Sequence, residues 1–187
     1  KPAPKEAVDL LKKLNIRPGG KELLLITAHR RENFGKPIEN ICKALQQLAE
    51  KYLQRVELIY PVHLNPNIQD PVRRLLKGIP NITLLPPLEY LSLVHLLKAA
   101  KLVLTDSGGI QEEATGLGKP TLVLRQVTER PEGLEAGVLK LVGTNSKEIF
   151  TQAGQLLDDE RAWSSLAHAA NPYGDGHAAK KIVRALL

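Results

Sequence analysis

The stretch Thr105-Asp106-Ser107-Gly108-Gly109-Ile110-Gln111-Glu112-Glu113 puts a hydroxyl, two adjacent glycines and two carboxylates directly after an apolar run. Adjacent glycines at the start of a helix let backbone N–H groups approach an anion closely, and the helix dipole and the Ser107 hydroxyl add attraction. That chemistry is phosphate binding, with Ser107, Gly108 and Gly109 as the cradle. Glu113 follows Gly109 by one helical turn on the same side. A carboxylate there accepts hydrogen bonds from two vicinal hydroxyls, as a ribose offers. The same residues also fit an ordinary tight turn followed by solvated acids at Glu112 and Glu113. The string is not G-x-G-x-x-G and no Walker lysine follows, which weakens dinucleotide and P-loop readings.

Two further polar strings follow apolar runs. Thr27-Ala28-His29-Arg30-Arg31-Glu32-Asn33-Phe34-Gly35 offers a histidine that donates to a phosphate or acts as a general acid, or one that merely caps a strand with Arg30 and Arg31 on the surface. In Arg125-Gln126-Val127-Thr128-Glu129-Arg130-Pro131-Glu132, Thr128 or Glu129 is expected to cap a helix opened by Pro131, with Arg130 held facing the cradle. His63, in Pro61-Val62-His63-Leu64-Asn65-Pro66, belongs to the same rim. His95 is expected to be structural, on a helix whose apolar face is Leu91, Val94 and Leu97. With one cysteine and no H-E-x-x-H, no metal site is expected, and no G-x-S-x-G elbow points to a serine hydrolase.

These strings need a scaffold that brings them together. Short apolar runs at 22–27, 56–62, 82–85, 102–105, 121–124 and 139–142 alternate with helical patterns at 37–53, 67–77, 90–100, 109–117, 131–136, 146–157 and 160–169. Runs that are apolar throughout imply strands buried on both faces, as in a parallel sheet covered by helices. The expected fold is α/β, a Rossmann-like doubly wound parallel sheet of about six strands, whose ligand crevice lies at the carboxyl ends of the strands. Residues 1–20 read as a lead-in helix, with Ala7, Leu10, Leu11 and Leu14 on one side, and an interdomain linker. Residues 21–170 form the nucleotide-binding domain, and 171–187 a loop and C-terminal helix.

The 187 residues carry 43% hydrophobic residues, ample for one core, and a net charge of +6 spread along the helices. Aromatics at 4% leave no stacking platform for single strands, so nucleic acid is not the expected partner. No apolar run is long enough to cross a bilayer and no signal peptide is evident, so the expected location is cytoplasmic. Cys42, among Ile38, Ile41, Leu45 and Leu48 at helical spacing, is expected to face the core. The chain begins at Lys1 and has no methionine, which suggests a portion of a longer polypeptide.

Taken in order, Ala28-His29-Arg30-Arg31-Glu32-Asn33, Pro61-Val62-His63, the Thr105 to Glu113 string, Thr128-Glu129-Arg130-Pro131-Glu132 and Asn171-Pro172-Tyr173-Gly174-Asp175-Gly176 resemble the C-terminal half of the bacterial, non-hydrolysing UDP-N-acetylglucosamine 2-epimerases. The resemblance implies the C-terminal half of a GT-B fold, needing no cofactor, with UDP and a UDP-N-acetylhexosamine as ligands. It implies that Ser107, Gly108 and Gly109 hold the diphosphate, Glu113 the ribose and Arg130 a phosphate. Main-chain groups at Pro87 and Leu88 hold the uracil, with Leu93 beside it where relatives can place an aromatic. His29 is implied as the catalytic histidine that contacts the departing UDP, and Arg31 and His63 as contacts for a second, activating substrate molecule. The implied reaction is inversion at C2 by elimination and readdition of UDP, with the carboxylates acting at C2 supplied by an N-terminal domain, in an enzyme of cell-envelope polysaccharide biosynthesis that is dimeric at full length. This chain alone is expected to bind UDP without epimerising. Alternatives are a hydrolysing 2-epimerase, a GT-B glycosyltransferase domain or a non-catalytic nucleotide-binding module.

Overall fold

The computed structural model describes residues 5–14, 16 and 19–187; the Ala7 side chain and, of the expected lead-in helix and linker, residues 1–4, 15, 17 and 18 lie outside the described residues. Strands β1 (Glu22–Thr27), β2 (Val56–Pro61), β3 (Ile82–Leu85), β4 (Ala100–Thr105), β5 (Thr121–Val123) and β6 (Leu139–Leu141) form one sheet in the order β3-β2-β1-β4-β5-β6. Every pairing is parallel. The helices are α1 (Lys5–Lys13), α2 (Lys36–Lys51), α3 (Pro66–Leu76), α4 (Tyr90–Ala99), α5 (Gly108–Gly116), α6 (Pro131–Glu135), α7 (Ser146–Asp158), α8 (Glu160–Ala167) and α9 (Ala178–Leu186).

Strand β1 explains the layering. Its side chains alternate across the sheet, so Leu24 and Ile26 enter one core with Ile38, Ile41, Cys42 and Leu45 of α2 and Ile149 and Ala153 of α7. Leu23 and Leu25 enter the other, with Leu96 and Leu97 of α4, Ile110 and Ala114 of α5, and Leu10 and Leu11 of α1. Burial on both faces is why the strand reads as an unbroken apolar run, and each fully buried leucine contributes about 2 kcal/mol. Cys42 is buried among them, and burial pushes its thiol up to about 12.

One helix departs from expectation. Leu91, expected on the packed face of α4, is exposed; Leu96 and Leu97 are buried and Leu93 packs beside them. Helix α4 packs on β1, β4 and α1, and the residues it buries there are in its second half. The strand order reverses direction between β1 and β4, and both end on the same edge. That is the switch point where open α/β sheets bind ligands.

Candidate functional site

Thr27 and Thr105 are register partners whose hydroxyls lie 2.7 Å apart, and the Asp106 N–H donates to Thr27 O at 3.0 Å. The ends of β1 and β4 are thereby pinned side by side. From Ser107 the chain enters α5 without any side-chain capping bond, and the first N–H to close a helical bond is that of Gln111, to Ser107 O. The N–H groups of Gly108, Gly109 and Ile110 therefore point out of the helix end with no helical acceptor. Neither glycine has a left-handed φ, so the pair is the opening of a helix and not a tight turn. A Cβ at Gly109 would meet nothing within 4 Å, and one at Gly108 would make only ordinary contacts. Nothing in the fold itself demands glycine there.

The neighbours of that helix end are two guanidinium groups and one carboxylate, whose Oε2, on Glu129, lies 3.7 Å from the position a Gly108 Cβ would take. The Nη2 atoms of Arg30 and Arg130 each lie 3.8 Å from the position a Gly108 Cβ would take. Arg30 pairs with Glu129 at 3.3 Å and Arg125 pairs with Glu129 at 3.4 Å. Attraction from Arg30 first, then Arg125, holds the Glu129 carboxyl below the usual carboxylate range. Arg130 is paired through Nε with Glu112, which raises its affinity for its proton. Arg130, not Thr128 or Glu129, is the N-cap of α6, and no side chain caps that helix. Thr128 instead accepts the Arg130 N–H at 3.1 Å and donates to Gln111 Oε1 at 2.7 Å, tying this loop to α5. Pro131 lacks an N–H, which removes one donor that a cap would otherwise serve.

Asp106, quoted above without a role, is the organiser of this edge. It is 0% exposed. Its Oδ2 accepts from the His29 N–H at 2.8 Å, the Arg30 N–H at 2.7 Å and Asn33 Nδ2 at 2.8 Å. Asn33 Nδ2 also reaches Leu124 O at 3.3 Å, so one cluster joins the ends of β1, β4 and β5. The signal was legible: a carboxylate inside a phosphate-binding string has the wrong sign for the ligand and must serve something else. Arg30, also given no ligand role, is brought to the cradle as closely as Arg130.

His29 and His63 come together, their rings stacked with centroids 5.5 Å apart and planes 13° from parallel. Arg31 is exposed in the short 3-10 turn after His29. Glu113 lies on α5 with one carboxylate oxygen, Oε2, buried and unpartnered. Leu88 and Leu93 are half-buried in the apolar cluster that also holds Ile110 and Ala114 of α5. Among the described residues no three His, Cys, Asp or Glu side chains gather as a metal set. No helix among them is long and apolar enough to cross a membrane.

The C-terminal loop buttresses the site from behind. Tyr173 packs with Val123, Leu134, Val138 and Leu139, and its hydroxyl lies against Gly133 of α6. Burial raises the Tyr173 phenol above its ordinary range. A Cβ at Gly133 would overlap that hydroxyl and come within 2.8 Å of Leu139 Cδ2. Gly133→Ala is expected to expel Tyr173 and cost about 1–3 kcal/mol of stability in urea denaturation. If Gly133→Ala costs little in a Tyr173→Ala background, the clash is with the ring; an undiminished cost there would assign it to Leu139.

Comparison with known proteins agrees with this architecture. The sequence pattern of the UDP-N-acetylglucosamine 2-epimerase family matches residues 4–187. A UDP-N-acetylglucosamine 2-epimerase from Yersinia pestis is 53% identical over 166 residues, 89% of this chain and 44% of that protein. The UDP-GlcNAc 2-epimerase from Neisseria meningitidis, solved bound to UDP-GlcNAc, superposes with a TM-score of 0.88 at 42% identity over 96% of this chain and 51% of that one. The S. aureus MnaA–UDP co-structure gives 0.87 at 45% identity over 95% and 47%. The chain spans about half the length of the relatives it matches, on their C-terminal side. Its six parallel strands in Rossmann order are the C-terminal half of a GT-B fold, and this chain belongs to the UDP-N-acetylglucosamine 2-epimerase family.

Proposed function

We propose that this chain is the UDP-binding half of an enzyme that interconverts UDP-N-acetylglucosamine and UDP-N-acetylmannosamine. One observation carries the reading: an uncapped helix N-terminus at the switch point, with Gly108 and Gly109 bare of side chains and the guanidinium groups of Arg30 and Arg130 beside Gly108, together with the Glu129 carboxylate that pairs with Arg30. Ser107 and the amides of Gly108 and Gly109 hold the diphosphate, Arg130 a phosphate oxygen, and Glu113 the ribose hydroxyls. The uracil lies at Leu88 and Leu93. The relatives solved with UDP and with UDP-GlcNAc support this choice of ligand.

In the reaction we propose, a base takes the C2 proton, the C1–O bond breaks and UDP departs, leaving a 2-acetamidoglucal; UDP then rejoins C1 on its original face while a proton is delivered to C2 on the opposite face, which inverts C2. The half described here stabilises the leaving group. Amides aimed at developing charge contribute about 3 kcal/mol each when well placed, and His29 donates to the departing diphosphate. The base at C2 comes from the N-terminal half. Leu64, Tyr90, Leu91 and Val127, large apolar side chains exposed along the same edge, are the surface that half covers.

Titration calorimetry with UDP tests this. Saturable binding is expected, weakened about tenfold or more by Glu113→Ala and by His29→Ala, since each removes a hydrogen bond involving a charged or strongly polar partner. Absence of binding by the parent chain would overturn the nucleotide assignment. Formation of UDP-N-acetylmannosamine by this chain alone would overturn its assignment as half of the enzyme.

A further inference from the structure

The two oxygens of the Asp106 carboxylate are used very differently. Oδ2 accepts three hydrogen bonds, whereas Oδ1 is buried with no hydrogen-bond partner. A carboxylate oxygen removed from water without a donor is costly and calls for an explanation. Among the described residues His29 Nδ1, at 3.6 Å, is the only basic side-chain nitrogen in ion-pair range of it. That separation exceeds a formed hydrogen bond, and a small ring rotation closes it; such contacts commonly tighten when ligand arrives.

The other face of the ring is also constrained. His63 stacks on His29, and its own Nδ1 accepts the Asn65 N–H at 3.1 Å. A ring nitrogen that accepts carries no proton, so this bond favours the tautomer of His63 with its proton on Nε2. The nearby Arg30 guanidinium is engaged by Glu129. Asp106 is therefore the charge that decides where the His29 protons sit.

We infer that Asp106 is the positioning residue of His29: its Oδ1 accepts from Nδ1–H and so directs Nε2 outward from the buried edge. This rests on the reading of His29 as the group beside the departing diphosphate. When both ring nitrogens carry protons, Nε2–H donates to the leaving oxygen and Nδ1–H donates to Asp106 Oδ1. The division of labour is the one general in His–Asp pairs, where the carboxylate sets tautomer and orientation and takes no proton.

Asp106→Asn separates this role from the structural one. The amide oxygen keeps the three N–H donors now held by Oδ2, while its NH2 group faces His29 Nδ1 and forces that nitrogen to accept. The neutral ring should switch from the Nδ1–H to the Nε2–H tautomer. Ring-nitrogen NMR of the 15N-histidine-labelled chain reads this directly, with His29→Ala assigning the signals. The expected result is a neutral Nδ1–H tautomer in the parent and Nε2–H in Asp106→Asn. A parent chain already in the Nε2–H form overturns the inference, and that measurement needs no variant to fold. A mutant cycle supplies the second readout: Asp106→Asn should weaken UDP about tenfold in the parent and less than about twofold in His29→Ala. Equal losses in both backgrounds would make Asp106 structural only and overturn the inference. If the parent does not bind UDP at all, the nucleotide reading fails, and the tautomer measurement alone decides the role of Asp106.

Discussion

Gly109→Ala is expected to leave the fold as stable as the parent or slightly more so, while UDP affinity falls about tenfold or more, equivalent to at least about 1.4 kcal/mol. The two halves of that expectation come from different facts. Gly109 is the second residue of α5 and has a φ that any residue adopts, and a Cβ there meets no atom of the chain. Alanine in place of glycine in a helix is favourable by roughly 0.5–1 kcal/mol, less at the first turn than in the interior. The added methyl nevertheless stands at the mouth of the three free N–H groups, where a phosphate oxygen must come within about 3 Å of the backbone. Thermal denaturation and UDP titration of one variant check both halves. A stable variant with unchanged affinity would remove Gly109 from the diphosphate site. A destabilised one would mean that the glycine serves the fold after all.

That contrast marks what the amino-acid sequence discloses and what it leaves hidden. The strands were legible because parallel strands are buried on both faces: Leu23 to Ile26 form an unbroken apolar run with no alternation to misread. Helix boundaries followed from Pro37, Pro66 and Pro131 near helix starts. The strand-end rule puts the Ser107, His29 and Arg130 strings on one edge, and the topology does the same. What escaped was the wiring between strings. The capping expected of Thr128 and Glu129 fails because Thr128 bonds Gln111, a partner seventeen positions away that no local pattern reveals. The exposure of Leu91 escaped for a similar reason, since helical period alone cannot say which turns of a helix are packed. Asp106 is the extreme case: its partners lie between 73 and 77 residues away.

Because those partners converge on one carboxylate, Asp106→Ala should be the most destabilising single change at this edge. It strands the His29 and Arg30 N–H groups and the Asn33 amide together, all of them at least partly buried. Breaking a buried charge-assisted cluster by deleting its acceptor typically costs about 3–5 kcal/mol, and the relief of no longer burying an anion offsets a part of that. We expect a net loss of about 3 kcal/mol in urea denaturation, or roughly 6–12 °C in Tm for a chain of this size. Asn33→Ala should lose less, about 1–2 kcal/mol, because the carboxylate keeps two of its three donors. The order Asp106→Ala, then Asn33→Ala, then Asp106→Asn as the mildest follows from counting hydrogen bonds lost, three, two and none; a large loss in Asp106→Asn would mean that its charge, and not its acceptor geometry, holds the edge. The same carboxylate thus sets the position of the His29 backbone and, through its second oxygen, faces the His29 ring. An edge built this way can move the His29 backbone only by disturbing the junction of β1, β4 and β5, whereas the ring turns without breaking any of the three bonds to Oδ2.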